Sequence, residues 1–465
     1  MRTLLPYTLP LTADLPPGLP VEAHARGQVQ VSLTDEEAAA LRARGLTLRP
    51  AWLASPKAIV TEGYSVLFSA HDWQAAGWSG RGVTVAVLDI GFTGAADLAG
   101  EELPGTLPRL GGTVDATAHG AAVAEVVHDI APEADLLLVQ FSTDTEFLAA
   151  LDLIVDEGAD IVVAAIGFDN VWAADGSSVV SAAVTDLVED EGILWVAAAG
   201  NEALRYQHGP LARDPAEPER LRIDGALTDQ TTGRSVSLRW DDPSVDLRLE
   251  LHDADGALCG ASDDRQSETG SPTERASADC PPPLTAAVYA DASVPAEGVV
   301  AYLYASGGWQ GAEPTAGTLT LPADAAGAIS VGACSLEDGA PGYSSQGPTE
   351  DGRLKPDVCA PHGVSTASGG VAGFDGTSSA APHVAGLLAL MLDAGVSPAE
   401  ARAALSANAV DLGAPGEDTV HGAGLVQAGP APERRCGCGS ASGGGLWAAL
   451  WALAAATGRY RRRGR

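Results

Sequence analysis

The residues best suited to chemistry in this chain are a serine, a histidine and an aspartate, each in a distinctive local context. Ser378 lies in Gly376-Thr377-Ser378-Ser379-Ala380-Ala381-Pro382-His383-Val384-Ala385-Gly386, where a Gly-Thr turn precedes a small-residue, apolar helix. That setting suits a nucleophile, because the turn exposes the oxygen and the first helical amides have no intrahelical partners. A serine hydroxyl alone is a weak nucleophile. It needs a base, and the base needs an orienting carboxylate. His119 opens His119-Gly120-Ala121-Ala122-Val123-Ala124, and Asp89 closes an apolar run over residues 83–88. Asn201, ending Ala197-Ala198-Ala199-Gly200-Asn201, offers a side-chain amide to an oxyanion.

These groups need a rigid scaffold, and the surrounding pattern predicts one. Continuous apolar runs at 83–88, 136–139, 161–166 and 193–198 read as strands buried on both faces. Helical stretches at 123–130, 147–155 and 179–188 alternate with them. This is the signature of an α/β fold, a parallel sheet flanked by helices, with functional groups gathered at the strand carboxyl ends. After Asn201 the pattern changes to strict alternation, as at Leu247, Leu249 and Leu251, punctuated by Asp255-Gly256 and Gly307-Gly308. The change predicts an inserted antiparallel β-sandwich over 205–325. The catalytic domain then occupies 63–204 and 326–428, preceded by an N-terminal extension, 1–62, and followed by a linker and tail, 429–465. Within the extension, 28–33 reads as a strand, Thr34-Asp35-Glu36-Glu37 as a capping box for a helix through Ala43, and 46–48 as a second strand.

The order Asp89, His119, Ser378 and the context of each residue resemble the subtilisin-like serine proteases, the subtilase family, in which that order is found. Tyr343-Ser344-Ser345-Gln346-Gly347-Pro348 and Leu354-Lys355-Pro356-Asp357-Val358-Cys359-Ala360-Pro361 resemble the segment that such proteins carry before their serine. The resemblance implies a subtilisin-like sheet and a serine endopeptidase acting through an acyl-enzyme. In that reading Ser378 is the nucleophile, His119 the general base, Asp89 its orienting carboxylate and Asn201 the oxyanion donor. Ala165-Ile166-Gly167 stands where many members show Ser-Leu-Gly on the substrate-binding strand; pairing there uses backbone groups, so Ala165 and Gly167 are the substrate-binding candidates. After His119-Gly120 the family commonly has Thr and His, and this chain has Ala121 and Ala122. No cofactor is required by this chemistry. Structural calcium is common in the family, and Asp241-Asp242 and Asp253-Ala254-Asp255 are acidic enough to hold it, but solvated turn carboxylates account for them better and EF-hand spacing is absent. Helix packing explains His383, and a helix surface explains His128.

The implied partners are protein or peptide substrates. Nucleic acid is disfavoured: 27 basic against 61 acidic residues leave a formal charge of −34. Six cysteines fall into regional pairs, predicting Cys259–Cys280 and Cys334–Cys359 disulfides and an oxidising, extracytoplasmic location at the cell surface or in the medium. Residues 1–20 carry no clear signal peptide, since Pro6, Pro10 and Asp14 interrupt the apolar piece. The extension resembles part of a subtilase pro-region. The tail, with Cys436 and Cys438, an apolar stretch over 446–456 and terminal arginines, resembles the MYXO-CTERM type of sorting tag, implying a processing machinery at the membrane as a further partner. Two other functions keep the same scaffold. One is a catalytically inactive surface adhesion or binding protein working through the sandwich. The other is a transpeptidase that uses the acyl-enzyme while excluding water.

Overall fold

The structure is a computed structural model describing residues 5–10, 21–25, 28–34, 37, 39–41, 44, 49–50, 68–112, 117–226, 228–264 and 272–434. At the N-terminus, strands β1 (Leu5–Pro10), β2 (Val21–Ala25), β3 (Gln28–Leu33) and β4 (Arg49–Pro50) form a sheet in the order β2-β3-β1-β4. Thr34 and Glu37 make the expected reciprocal cap, Glu37 N–H donating to Thr34 Oγ1 at 3.3 Å and Thr34 N–H to Glu37 Oε2 at 2.8 Å. The strand expected at 46–48 lies outside the described residues. Neither β1 nor β2 was anticipated from sequence; Pro6 and Pro10 disguise β1, because proline is confined mostly to strand edges.

Helix α1 (Phe68–Ala75) leads into the main parallel sheet. Its strands are β5 (Thr84–Asp89), β6 (Arg109–Gly111), β7 (Asp135–Gln140), β8 (Ile161–Ala164) and β9 (Leu194–Ala198). Between them lie α2 (Ala95–Leu98), α3 (His119–Ile130), α4 (Asp144–Asp156) and α5 (Val179–Glu191). The apolar runs become strands because both faces are covered: Val85, Val87, Ile161, Val163 and Val196 face one core, while Ala86, Leu88, Val162, Trp195 and Ala197 face another. Thr143 caps α4 by accepting Glu146 N–H, and Ser178 caps α5 by accepting Ser181 N–H.

Nine antiparallel strands follow: β10 (Tyr206–Arg213), β11 (Arg220–Ile223), β12 (Gln230–Thr231), β13 (Ser235–Trp240), β14 (Arg248–His252), β15 (Leu258–Ser262), β16 (Thr273–Ser277), β17 (Leu284–Tyr289) and β18 (Val300–Ala305). Strand β10 belongs to both layers, residues 206–210 pairing with β18 and residues 211–213 with β11. A strand that changes sheets in this way turns a corner of a sandwich. Alternate residues Leu249, Leu251, Ala301 and Leu303 fill the core between the layers. The β15 and β16 edges are tied by the Cys259–Cys280 disulfide and by Asp279 N–H donating to Cys259 O at 3.1 Å.

The chain then re-enters the parallel sheet. Strands β19 (Ile329–Ala333) and β20 (Val358–Ala360) complete the order β20-β19-β9-β8-β5-β7-β6, and Cys334–Cys359 joins these two neighbours. A hairpin, β21 (Val364–Thr366) and β22 (Gly370–Phe374), precedes α6 (Thr377–Asp393) and α7 (Pro398–Ala407). Helix α6 is buried from Thr377 to Met391 and packs with α3 against one face of the sheet. Among the described residues no helix is long and apolar enough to cross a membrane. The terminal apolar stretch, Cys436 and Cys438 lie outside them.

Candidate active site

Asp89 is the last residue of β5 and is wholly buried. Its Oδ1 accepts the Ile90 N–H at 2.8 Å, and its Oδ2 lies 2.7 Å from His119 Nδ1. His119 is the first residue of α3 and keeps about a quarter of its side chain exposed (26%). The approach of helix to strand requires the glycine that follows. A Cβ on Gly120 would lie 2.7 Å from Asp89 Cβ and 2.5 Å from the Phe92 ring, closer than packing allows. The Phe374 ring, at the end of β22, meets the imidazole edge-on with centroids 5.6 Å apart.

Ser378 is the second residue of α6, and its hydroxyl donates to Ala165 O at 2.8 Å. Ala165 follows directly on β8, so this bond ties the start of α6 to a strand carboxyl end. Gly376 precedes with φ 88°, a left-handed conformation natural to glycine, and a Cβ there would sit 2.9 Å from Asn201 Nδ2. Asn201 Oδ1 accepts Thr377 N–H at 2.9 Å, while Thr377 Oγ1 accepts Gly200 N–H at 3.1 Å. Because Oδ1 is held by that amide, the Asn201 NH₂ is the end left to donate elsewhere.

The structure therefore brings Asp89 to His119, Ser378 to Ala165, and Asn201 to the Gly376–Thr377 turn. Gly167 is exposed just beyond Ala165, and Phe168 next to it exchanges backbone hydrogen bonds with Leu321, at 2.9 and 3.2 Å. His383 is buried with Nδ1 2.7 Å from Ser379 O, and burial lowers it to about 4, so it is a neutral packing group. His128 differs from the expectation of a surface residue: it is half-buried, and that burial lowers its pKa. Of the aspartates at 241–242 and 253–255, Asp242 and Asp253 cap turns, and Asp241 Oδ1 accepts Val300 N–H at 3.0 Å. Asp242 Oδ1 accepts Ser244 N–H at 2.9 Å, and Asp253 Oδ1 accepts Asp255 and Ala257 N–H at 3.0 and 2.9 Å. Asp253 also neighbours Cys259 and Cys280, but their sulfurs are consumed by the disulfide and offer no thiolate to a metal.

Several groups around the site escaped the sequence reading. Thr377 fixes the Asn201 amide, a role hidden in what looks like an ordinary Gly-Thr turn. Asp375 Oδ1 accepts from Gly376 N–H, Tyr343 O–H and His362 Nδ1, each at 2.7 Å. Burial pushes the Asp375 carboxyl up, but these donors outweigh it and hold its pKa below the usual range. Beneath the Asn201 turn, Thr320 Oγ1 donates to Asp169 at 2.7 Å, and Glu202 pairs with Arg205 at 3.2 Å. Burial raises Glu202 to about 7, helped by the nearby Asp169, whose own pKa is raised by burial. Residues brought together from 169, 202 and 320 leave no spacing signal in one sequence.

The family model described as Subtilase family matches residues 265–424, about a third of the chain, a span holding Ser378 but not Asp89, His119 or Asn201. Among solved structures, the CspB protease of Clostridium perfringens matches with a TM-score of 0.55 at 16% identity, covering 79% of this chain and 97% of that one. A lanthipeptide protease matches with a TM-score of 0.45 at 16% identity, covering 79% and 93%. The first likeness shows the fold: a subtilisin-like parallel sheet carrying an additional antiparallel β-structure.

Proposed function

We propose that this protein is a serine endopeptidase of the subtilase family that hydrolyses protein or peptide substrates through an acyl-enzyme. The observation that carries the reading is the buried Asp89 carboxylate held 2.7 Å from His119 Nδ1, within a fold that also sets Ser378 at the start of a helix. With Nδ1–H held by Asp89, the Nε2 lone pair of His119 accepts the Ser378 proton as Oγ attacks the scissile carbonyl. The tetrahedral oxyanion takes the Asn201 NH₂ and the Ser378 N–H. The imidazolium, stabilised by Asp89, returns the proton to the leaving amine, and water repeats the sequence on the acyl-enzyme. The leaving amine must face His119, so the acyl side of the substrate pairs along Ala165 to Gly167.

The same reading assigns 205–325 as an inserted domain and 1–62 as an N-terminal extension that is part of a pro-region. The two disulfides support an extracytoplasmic location. It also assigns the tail to sorting and removal at the membrane; intact-mass measurement of mature protein should then find an end before Leu446. The chemistry is tested by fluorophosphonate labelling of the purified protein. Wild type should label at Ser378 and cleave peptides, and Ser378→Ala should do neither while keeping its melting temperature. Folded protein, freed of residues 1–62, that resists labelling would instead be a binding scaffold.

A further inference from the structure

The loop that leaves the candidate substrate strand runs straight into the junction with the β-sandwich. Asn170, three residues beyond Gly167, donates from Nδ2 to Ser237 O, Ser237 Oγ and Tyr302 O, each at 3.1 Å. Its φ of 52° is unusual for a residue with a side chain, so the sandwich holds this loop in a shape it would not choose alone. Past Asn170 the loop forms one wall of a cleft of about 770 Å³, the sandwich and residues 350–351 forming the others. That volume falls in the range of sites that take a ligand group, roughly 300–1,000 Å³.

The lining has a definite chemistry. Trp172 offers aromatic surface, Tyr302 being taken up by Arg239 and by the His208 ring stacked on it at 5.4 Å, and Asp175, Asp241, Glu350 and Asp351 offer carboxylates. Among the described residues a single cation, Arg239, lines it, and its charge is spent on Glu350. Asp351 is paired with Arg353 at 2.7 Å, which leaves Asp175 and Asp241 without cationic partners among the described residues. The cleft already shows that a guanidinium fits on its aromatic wall: the Arg239 head lies 4.0 Å over the Tyr302 ring. Arg239 is itself 6% exposed, so its guanidinium belongs to the wall of the cleft rather than to its opening.

From these observations we infer that the cleft between the sandwich and the 171–175 loop is a distal substrate subsite. It takes an arginine or lysine side chain about five or six residues N-terminal to the scissile bond. This rests on the protease reading, which places the acyl side of the substrate on Ala165 to Gly167. Pairing along Ala165 to Gly167 would take up the first three positions before the scissile bond, and the fifth and sixth lie at most about 7–11 Å further on, within the roughly 17 Å that Gly167 to Trp172 can span. The cation would sit on Trp172 with Asp175 and Asp241 beside it, exchanging water for an aromatic face and two carboxylates.

Two peptide series test the subsite. Four-residue substrates report the chemistry alone, while ten-residue substrates carry Arg, Gln or Glu at the fifth and sixth positions before the scissile bond. The Arg peptides should be cleaved with kcat/KM about tenfold above the Glu peptides, the size of one well-made cation–π or charge contact. Trp172→Ala and a double Asp175→Asn, Asp241→Asn variant should erase that preference and leave the four-residue substrates unaffected. Four-residue substrates cleaved normally with no preference among the long ones would overturn the subsite and spare the protease. If nothing is cleaved, binding still decides. Ser378→Ala protein titrated with the ten-residue Arg peptide by calorimetry should bind more tightly than with the Glu peptide, and Trp172→Ala should remove the difference. Equal binding of both peptides would overturn the proposal.

Discussion

The parallel sheet and the sandwich bury similar kinds of side chain but spend their polar groups in opposite ways. Around β5, β8 and β9 the interior is almost wholly Val, Leu, Ile and Ala, and the rare buried charge, Asp89, meets His119 at the rim. At the junction with the sandwich the covered and half-covered groups are ionic and crowded: Asp169, Glu202 and Arg205, then Arg239 and Glu350. A dry core tolerates a charge only where a partner neutralises it. In the parallel half such charges are few and each is met: besides Asp89, Glu125 accepts Ala367 and Ser368 N–H, and Lys355 pairs with Asp357 at 2.6 Å. The junction uses its charges to fix two layers and a loop against each other.

That contrast predicts that the largest functional losses come from the parallel half without loss of fold. Asp89→Asn should preserve the 2.7 Å contact yet leave His119 in the wrong tautomer, lowering kcat by about 10⁴, as in the serine-protease precedent. Asn201→Ala should lower it by about 10²–10³, the loss measured for a comparable donor in subtilisin. Labelling kinetics should follow the same order. An Asn201→Ala protein that labels as fast as wild type would remove that residue from the oxyanion site.

The sequence exposed the parallel half more fully than the junction, for a physical reason. A strand covered on both faces must be apolar at every position, so 83–88, 161–166 and 193–198 announce themselves; Asp89 ends one and Asn201 follows closely on another, while His119 and Ser378 open helices of small apolar residues. The alternation of Leu247, Leu249 and Leu251 likewise revealed the sandwich. Strand β1 was hidden because Pro6 and Pro10 argue against a strand, and only pairing with β3 over Leu5–Pro10 reveals it. The charges of the junction were unreadable, since Arg239 and Glu350 are 111 residues apart and meet only after both layers have formed.

At the junction the expected loss is one of stability. Arg239 is 8% exposed at its side chain and Glu350 17%, so Arg239→Ala leaves a largely covered carboxylate with only neutral donors, among them Ala174 N–H at 2.8 Å. Removing one member of such a pair costs about 3–5 kcal/mol. Replacing both, as Arg239→Met with Glu350→Met, should cost less than the single change, because no charge is left behind. Urea unfolding of the three proteins makes the comparison, and a double variant less stable than the single one would contradict it.

The disulfides offer a smaller and more local test. Cys259–Cys280 spans 21 residues within the sandwich, and Cys334–Cys359 spans 25 across neighbouring strands of the parallel sheet. Loop-closure entropy assigns each about 3 kcal/mol. Replacing the first pair by serine should lower the unfolding transition of the sandwich, and replacing the second that of the parallel half. A single shared transition that falls equally in both variants would show that the junction charges join the two regions into one cooperative unit.

The finest probe is Glu202, which follows Asn201 and belongs to the junction. Burial, with Asp169 adding to it, raises its carboxyl from 4.5 to about 7. The folded protein therefore holds this proton more tightly than the unfolded chain does. The resulting stability is fully present below pH 4.5 and is lost as pH rises through about 7. Within that window the slope contributed by one such group is at most about 1.4 kcal/mol per pH unit. Glu202→Gln, which keeps the shape and cannot ionise, should flatten the fall in melting temperature between pH 5 and 7, and the wild-type and variant curves should separate most above neutrality. Because Glu202 adjoins the oxyanion candidate, the same variant also tells positioning from stability. If Glu202 holds Asn201 in place through its charge, labelling of wild type at Ser378 should change across this window relative to Glu202→Gln. If it serves only the junction, the two labelling profiles should run parallel while the melting curves diverge.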